Sequence, residues 1–369
     1  MKKTKLIIIQ PCIARYRISF FNDLSKKEGI DLKVISSEKD ECGLKSDKTG
    51  DFNFRTDIKL IALFKKKIIL QRNIFQNDIR HSDIITVTGN PRYISFIPLY
   101  IYCKITGKKI IWWGQGWSSK TNKYTYLIRR AIMSLFDGTL VYTEQEAIEI
   151  NKLRIKPNIL HYLDNGLDVN NINNVLGKIS LKKKPENGVL NLIFIGRLTE
   201  KSNILFILNT LLNLDCHIDI IGDGMLKSSV QELSNEYPEK ITYIGAIHNE
   251  EEIAPYMMKS HYFIYGGDVG LSLIHAFSYG LPAIIHSSYK EHMPEISAFK
   301  ENETGFVFKK NNSQSLLMTL NELPKSDSNE YIKMSNQCKE TTKNKFNTQK
   351  MADNFVYLIE KINNKGNDL

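Results

Sequence analysis

The chain has 369 residues, 42% hydrophobic and 24% charged, the composition of an ordinary globular protein. Its length favours two domains over one, and its longest apolar stretch, residues 94–103, falls well short of the roughly 20 residues that cross a bilayer. The net charge of +10 is lopsided, with 29 basic against 17 acidic side chains in residues 1–170 and a remainder near −2, so the first half suits an acidic substrate, an anionic membrane face or a nucleic acid, or is simply a solubilising surface.

Cys12, Cys42, Cys103, Cys216 and Cys338 are scattered and odd in number. That disfavours a disulfide framework and a zinc site and fits a reducing cytosol. Lys2, Lys3 and Lys5 precede an apolar run too short for a signal peptide.

The N-terminal half reads as strand followed by helix, repeatedly. Residues 6–10 predict a buried strand and 16–25 the helix after it. Short apolar runs at 32–36, 84–88, 109–113, 139–142 and 158–162 predict further strands, with helices over 94–104 and 124–135. This alternation argues a parallel sheet covered on both faces. Residues 170–187 are rich in Asn, Lys and Gly and read as an interdomain linker.

The alternation then restarts. Strands are expected at 190–195, 217–221, 241–244, 261–265 and 283–286, and helices at 203–212, 225–234, 250–259 and 271–279. Residues 348–362 predict one amphipathic helix. The expected architecture is therefore two doubly wound α/β domains in series, with a cleft between them as the natural ligand site.

Three segments of the second half carry the chemistry. In Gly196-Arg197-Leu198, a glycine closes a strand and Lys201 follows. An arginine fork and a lysine point charge can together clamp a diphosphate. Gly222-Asp223-Gly224-Met225-Leu226 resembles a dinucleotide fingerprint, but Lys227 occupies its third glycine position. A βα turn in which Asp223 bonds local backbone accounts for it better. Third, Tyr265-Gly266-Gly267-Asp268-Val269-Gly270-Leu271 runs from a strand through a glycine-rich loop into a helix. The helix start at Val269, Gly270 and Leu271 offers backbone N–H groups and a positive dipole end to phosphate. His275 on that helix reads either as a ligand group or as a satisfied, half-buried histidine.

These segments, with a strand ending in Gly245 and a closing Gly280-Leu281-Pro282, resemble in order and spacing the C-terminal domain of the family 4 glycosyltransferases of GT-B fold. The first half is similar, more loosely, to the N-terminal domain of bacterial polysaccharide glycosyltransferases. The matching stretches are Arg15-Tyr16-Arg17, Gly89-Asn90-Pro91-Arg92 and Trp112-Trp113-Gly114-Gln115-Gly116-Trp117. The resemblance implies an acceptor domain at 1–170, a nucleotide-sugar domain at 171–347, and a last helix at 348–369 packing back on the first.

It implies a retaining hexosyltransferase. Such an enzyme moves sugar from a nucleoside diphosphate sugar to an acceptor hydroxyl, expected on a lipid-linked glycan of O-antigen or capsule synthesis. Arg197 and Lys201 stand in for a metal, so no cofactor and no divalent ion is expected. Gly196, Gly245, Asp268, Val269, Gly270, Leu271, His275 and Glu295 are the expected donor-binding residues. Arg15, Arg17, Asn90, Arg92 and Gln115 are expected on the acceptor side, their alternative being strand-end loop structure. The expected partners are the nucleotide sugar, a glycan or polyprenyl-linked acceptor and an anionic membrane surface, not nucleic acid. A cytoplasmic location, peripheral to the inner face of the membrane, follows.

The sequence departs from the family at three positions. The family carries two glutamates eight positions apart around the loop, where this chain has Gly267 and His275, and a first-domain histidine is replaced by Gln115. An inactive glycosyltransferase-like binding subunit and a GT-B sugar-nucleotide epimerase therefore stay open.

Overall fold

The computed structural model describes residues 3–116, 123–179 and 189–365. Trp117 and the lysines at 182–184 lie outside the described residues. The chain divides into two compact units, Met1–Leu167 with Thr348–Leu369, and Asp168–Asn347.

In the first unit the elements run β1 (Thr4–Ile9), α1 (Ile18–Ser25), β2 (Ile30–Ser37), β3 (Asn53–Leu63), β4 (Ile68–Arg72), α2 (Asn77–His81), β5 (Ile84–Thr88), α3 (Phe96–Thr106), β6 (Lys109–Trp113), α4 (Lys123–Met133), β7 (Gly138–Val141), α5 (Glu144–Asn151) and β8 (Leu160–Tyr162). The strand order is β4-β3-β2-β1-β5-β6-β7-β8, parallel except for the β3–β4 hairpin. Alternation sends neighbouring residues to opposite faces. Leu6, Ile8 and Trp113 face one core with α1, whereas Ile7, Ile9 and Trp112 face the other, toward α2 to α5.

The second unit contains α6 (Val169–Lys178), β9 (Leu190–Ile195), α7 (Ile204–Leu211), β10 (Cys216–Ile221), α8 (Lys227–Glu236), β11 (Ile241–Gly245), α9 (Glu250–Lys259), β12 (Tyr262–Tyr265), α10 (Leu271–Ser278), β13 (Ala283–His286), β14 (Gly305–Phe308), α11 (Ser313–Asn321) and α12 (Asn329–Asn344). Its six strands are all parallel, in the order β11-β10-β9-β12-β13-β14.

The last helix, α13 (Thr348–Lys365), belongs to the first unit. Met351, Phe355, Leu358, Ile359 and Ile362 form its apolar stripe, and all are buried in the core that contains Phe20 and Trp113. The Phe355 ring lies 6.2 Å from Phe20 and 6.0 Å from Trp113. Each such side chain stabilises the docking by about 1.5–3 kcal/mol.

Two expectations need correction. Part of the expected linker is helical: Val169, Ile172 and Val175 are buried along α6, and Asp168 caps it by accepting the Asn171 N–H at 2.9 Å. The Asn-rich composition hides this i, i+3, i+6 stripe. The other is the β3–β4 hairpin, which the sequence does not announce because charged residues interrupt the alternation in Asn53–Leu63. Its turn holds Phe64, Lys65 and Lys66 at φ near +50 to +63°, which no Gly or Asn there announces.

Candidate functional site

In a parallel α/β sheet, ligands bind beyond the carboxyl ends of the strands, where the strand order reverses. In the second unit the reversal falls between β9 and β12. The loops leaving these two strands are Gly196-Arg197-Leu198 and Gly266-Gly267-Asp268, so the tertiary structure brings two sequence-distant motifs together.

The join is made by backbone. The Asp268 N–H donates to the Lys201 carbonyl at 3.0 Å, and a Cβ added to Gly267 would stand 1.9 Å from that same carbonyl oxygen. Gly267 is therefore a close-approach glycine, and no carboxylate can stand there without moving the Lys201 turn. That turn, Glu200–Ser202, is pinned by a reciprocal cap between Thr199 and Ser202. Asn203, at φ +52°, donates to the Gly266 carbonyl at 3.0 Å.

The Gly222-Asp223-Gly224 turn braces the Gly196 loop from the other side. Leu198 donates to the Asp223 carbonyl at 2.9 Å, and Leu226 donates to the Leu198 carbonyl at 3.0 Å. A Cβ on Gly222 would lie 1.8 Å from the Gly196 carbonyl oxygen. Asp223 accepts the Gly224 N–H at 2.7 Å, the local turn role expected of it.

Arg197 and Lys201 are both exposed. Tyr265 lies beside this group, stacked on Phe194 at 4.8 Å. Burial pushes its phenol up to about 12, with Arg197 pulling the other way and Asp268 adding to the rise.

At the helix start, one expectation is overturned. The Val269 N–H is not available to a ligand, because it donates to His292 Nδ1 at 3.2 Å. His292 Nε2–H donates in turn to the His286 carbonyl at 2.9 Å, and the two rings stack at 4.0 Å. The Met293 N–H also donates to the Val269 carbonyl at 2.9 Å, so the segment after β13 clamps the glycine-rich loop. The N–H groups of Gly270, Leu271 and Ser272 have no backbone acceptor among the described residues and form the open first turn of α10. The sequence contains this device as His286 and His292, but a lone histidine pair six apart carries no signal without the fold. Glu295 is buried in the Pro294–Ala298 turn, its Oε2 3.7 Å from where a Cβ on Gly270 would lie.

His275 is half-buried on α10, and its Nε2 lies 2.7 Å from Glu250 Oε1. The Tyr279 hydroxyl donates to the same oxygen at 2.5 Å. Burial pushes the Glu250 carboxyl up, but the His275 and Tyr279 hydrogen bonds outweigh it and hold it below the usual carboxylate range. A carboxylate thus stands beside position 275 after all, presented by the first turn of α9. Sequence reading missed Glu250 because three consecutive glutamates open that helix. Gly245 ends β11 at φ +92°, with open space where a side chain would be.

In the first unit the reversal falls between β1 and β5. Arg15 and Arg17 follow β1, Asn90 and Arg92 follow β5, and Gln115 follows the adjacent β6. The Gly89 N–H donates to the Trp113 carbonyl at 2.6 Å, which joins the last two loops. Their side chains differ in availability. Arg15 is exposed. Arg17 is only 5% exposed and lies over Trp113 at 4.4 Å. Asn90 accepts the Arg92 N–H at 3.1 Å, and Arg92 pairs with Glu41 at 3.2 Å. For Arg17 and Arg92 the structure shows packing and loop-holding. Gln115 is half-buried and its carbonyl accepts from Arg129 at 2.9 Å. Buried Glu146 fixes that loop by accepting the Gly116 N–H at 3.1 Å.

Residues 190–325 match the family model described as Glycosyl transferases group 1. Over 136 residues the chain is 30% identical to glycogen synthase of Hydrogenovibrio crunogenus, covering 34% of this chain and 25% of that one. The chain thus matches only about a quarter of that relative's length. Among solved structures, a glycosyltransferase from Rickettsia africae superposes with a TM-score of 0.72 at 14% identity, over 98% of this chain and 99% of that one. The lipopolysaccharide outer core galactosyltransferase WaaB gives 0.67 at 16% identity, over 97% and 99%. Anabaena Alr3699/HepE in complex with UDP gives 0.67 at 11% identity, over 97% and 100%. The fold is GT-B: two α/β units built on parallel sheets, as the alternation of elements leads one to expect.

Proposed function

We propose that the chain is a retaining, nucleotide-sugar-dependent hexosyltransferase of the family 4 type. It transfers sugar to a lipid-linked glycan in surface polysaccharide synthesis, from a peripheral position on the cytoplasmic membrane. The observation that carries the reading is the convergence at the β9–β12 reversal. Two exposed cations, Arg197 and Lys201, share a backbone-locked loop pair with the open helix start at Gly270, Leu271 and Ser272. That is a built anion site, and the nucleotide-sugar donor is its natural occupant. UDP-sugars are the first donors to test, since a neighbour of this fold holds UDP-glucose.

In this reading the diphosphate lies against Arg197, Lys201 and the α10 start, and the nucleoside extends toward Gly245 and the Glu250–His275 pair. The bond from the sugar's anomeric carbon to the diphosphate oxygen breaks, a bond from that carbon to the acceptor oxygen forms on the same face, and the hydroxyl proton leaves with the diphosphate. Negative charge grows on the leaving diphosphate, and preorganised cations stabilise it there without a divalent metal. The acceptor engages the first unit near Arg15, Asn90 and Gln115.

Removing both cations, with Arg197→Ala and Lys201→Ala, should cut nucleoside diphosphate release by at least about a hundredfold. The melting temperature should hold, since both side chains are exposed. Wild-type turnover in the double variant would end this reading. Gly267, which leaves no room for a family glutamate, favours one alternative, an inactive binding subunit. That protein would bind UDP and release none from any donor.

A further inference from the structure

Five tyrosines among the described residues are buried: Tyr93, Tyr262, Tyr265, Tyr279 and Tyr331. A buried phenol ordinarily finds an acceptor, because an unpaired hydroxyl forfeits its hydration. Four of the five follow this rule. Tyr93 donates to Glu41, Tyr262 to the Pro324 carbonyl at 2.7 Å, Tyr279 to Glu250 and Tyr331 to the His261 carbonyl at 2.5 Å. Tyr265 is the exception. Only 8% of it is exposed, its hydroxyl has no partner among the described residues, and the hydroxyl oxygen is the part that still reaches solvent.

The surroundings give that oxygen a place. Tyr265 closes β12, the strand beside β9. Its ring stacks on Phe194 at 4.8 Å, with Phe263 behind it at 6.0 Å, and these contacts hold it still. Gly196 supplies the opening. A Cβ there would lie 3.1 Å from Tyr265 Cε2 and 3.3 Å from the hydroxyl oxygen, so any side chain at 196 would cover the phenol. Arg197 and Asp268 flank the hydroxyl and act on it in opposite senses. Burial outweighs Arg197 and holds the phenol up at about 12, so it keeps its proton at neutral pH. A protonated phenol with no internal acceptor is a ready hydrogen-bond donor, and this one stands at the anion site of Arg197, Lys201 and the α10 start.

We infer that Tyr265 is a further catalytic residue, whose hydroxyl donates to a diphosphate oxygen of the nucleotide sugar beside Arg197 and Lys201. The inference rests on the proposed function and adds a neutral donor to its two cations. As the bond from the anomeric carbon to the diphosphate breaks, the electron pair stays on the diphosphate oxygen. The acceptor oxygen bonds to the carbon, and the acceptor proton leaves with the diphosphate. Tyr265 gives up no proton. Its hydrogen bond strengthens as charge gathers on the departing group, so it stabilises the transition state more than the bound donor. The ring is already fixed and breaks no internal hydrogen bond when the diphosphate enters, so little reorganisation opposes the contact.

Tyr265→Phe keeps the ring and removes one oxygen. With UDP-sugars as donors, kcat for UDP release should fall at least about tenfold, while UDP affinity in calorimetric titration falls only about two- to fivefold. The ligand-free variant should melt at or above the wild-type temperature, since no internal hydrogen bond is lost. Tyr262→Phe is the contrasting control. It loses the bond to Pro324, should melt about 2–4 °C lower, and should release UDP at the wild-type rate. The inference is overturned if kcat of Tyr265→Phe stays within about twofold of wild type, even where UDP binds more weakly. A loss of UDP-sugar affinity with UDP affinity intact also overturns it, by moving the hydroxyl to the sugar. A melting temperature lowered as in Tyr262→Phe overturns it too, by making the hydroxyl structural. These failures leave the proposed function standing. Wild-type protein that binds no nucleoside diphosphate, or that binds UDP and releases none from any UDP-sugar, fails the proposed function and the inference together.

Discussion

Substituting Gly267 by alanine adds one carbon atom and tests whether the glycine-rich loop and the Lys201 turn are one unit. The new Cβ would start 1.9 Å from the Lys201 carbonyl oxygen, against the roughly 3.3 Å that carbon and oxygen need. Backbone must therefore separate by more than about 1 Å, and overpacking of this kind costs about 1–3 kcal/mol. The same separation breaks the hydrogen bond from Asp268 N–H to the Lys201 carbonyl, worth about 1 kcal/mol more. A total near 3 kcal/mol lowers the melting temperature of a unit this size by roughly 6–12 °C. Differential scanning calorimetry reads it directly. Gly177→Ala is the control, since Gly177 is an exposed glycine of α6 with open space around its Cβ position, and alanine there should stabilise by up to about 1 kcal/mol. A Gly267→Ala protein that melts within about 1 °C of the wild type would refute the close-approach argument. If the drop occurs, UDP affinity should fall as well, because the cations and the helix start no longer share a fixed geometry.

His275→Ala removes a donor from the half-buried Glu250 carboxylate and should destabilise the ligand-free protein by about 2 kcal/mol, measured by urea unfolding. UDP affinity weakened with unchanged stability would instead make His275 a direct ribose ligand. Acidification should lower stability through His286, which burial, the neighbouring His292 and Lys310 hold down at about 4. Glu291 opposes the drop at His286, and Asp268 faces His292, itself lowered by burial. A depressed histidine stays neutral in the fold while the unfolded chain takes up its proton below about 6.5. Stability is therefore full above that pH and falls by on the order of 3 kcal/mol toward pH 4. Melts at pH 7, 6, 5 and 4 check this, and a flat profile that is also unchanged in His286→Gln would contradict it. Turnover in excess chelator should equal turnover in magnesium; complete loss restored by magnesium or manganese would show that the cations do not replace a metal.

Much of the molecule is local in origin, and so it can be read from the sequence. Apart from the β3–β4 hairpin, the strands are short apolar runs whose burial follows from composition. The Gly196, Gly222 and glycine-rich segments are strand-end turns, which the chain encodes residue by residue. Asp223 takes the local role its turn dictates, and the α13 stripe of Phe355, Leu358 and Ile362 is plain in its spacing. Tertiary structure decided what depends on residues far apart in the chain. Strand order alone places β12 beside β9, and so sets Gly267 against the Lys201 carbonyl. The Val269 N–H is free in the sequence and bound in the fold because His292 reaches back from beyond β13. Glu250, one of three glutamates in a row, becomes the partner of His275 only because α9 and α10 lie together. Arg17 and Arg15 are two residues apart, yet one lies over Trp113 and the other faces solvent. Hydrogen bonds, ion pairs and burial between remote segments depend on distances that folding sets, and no local pattern records them.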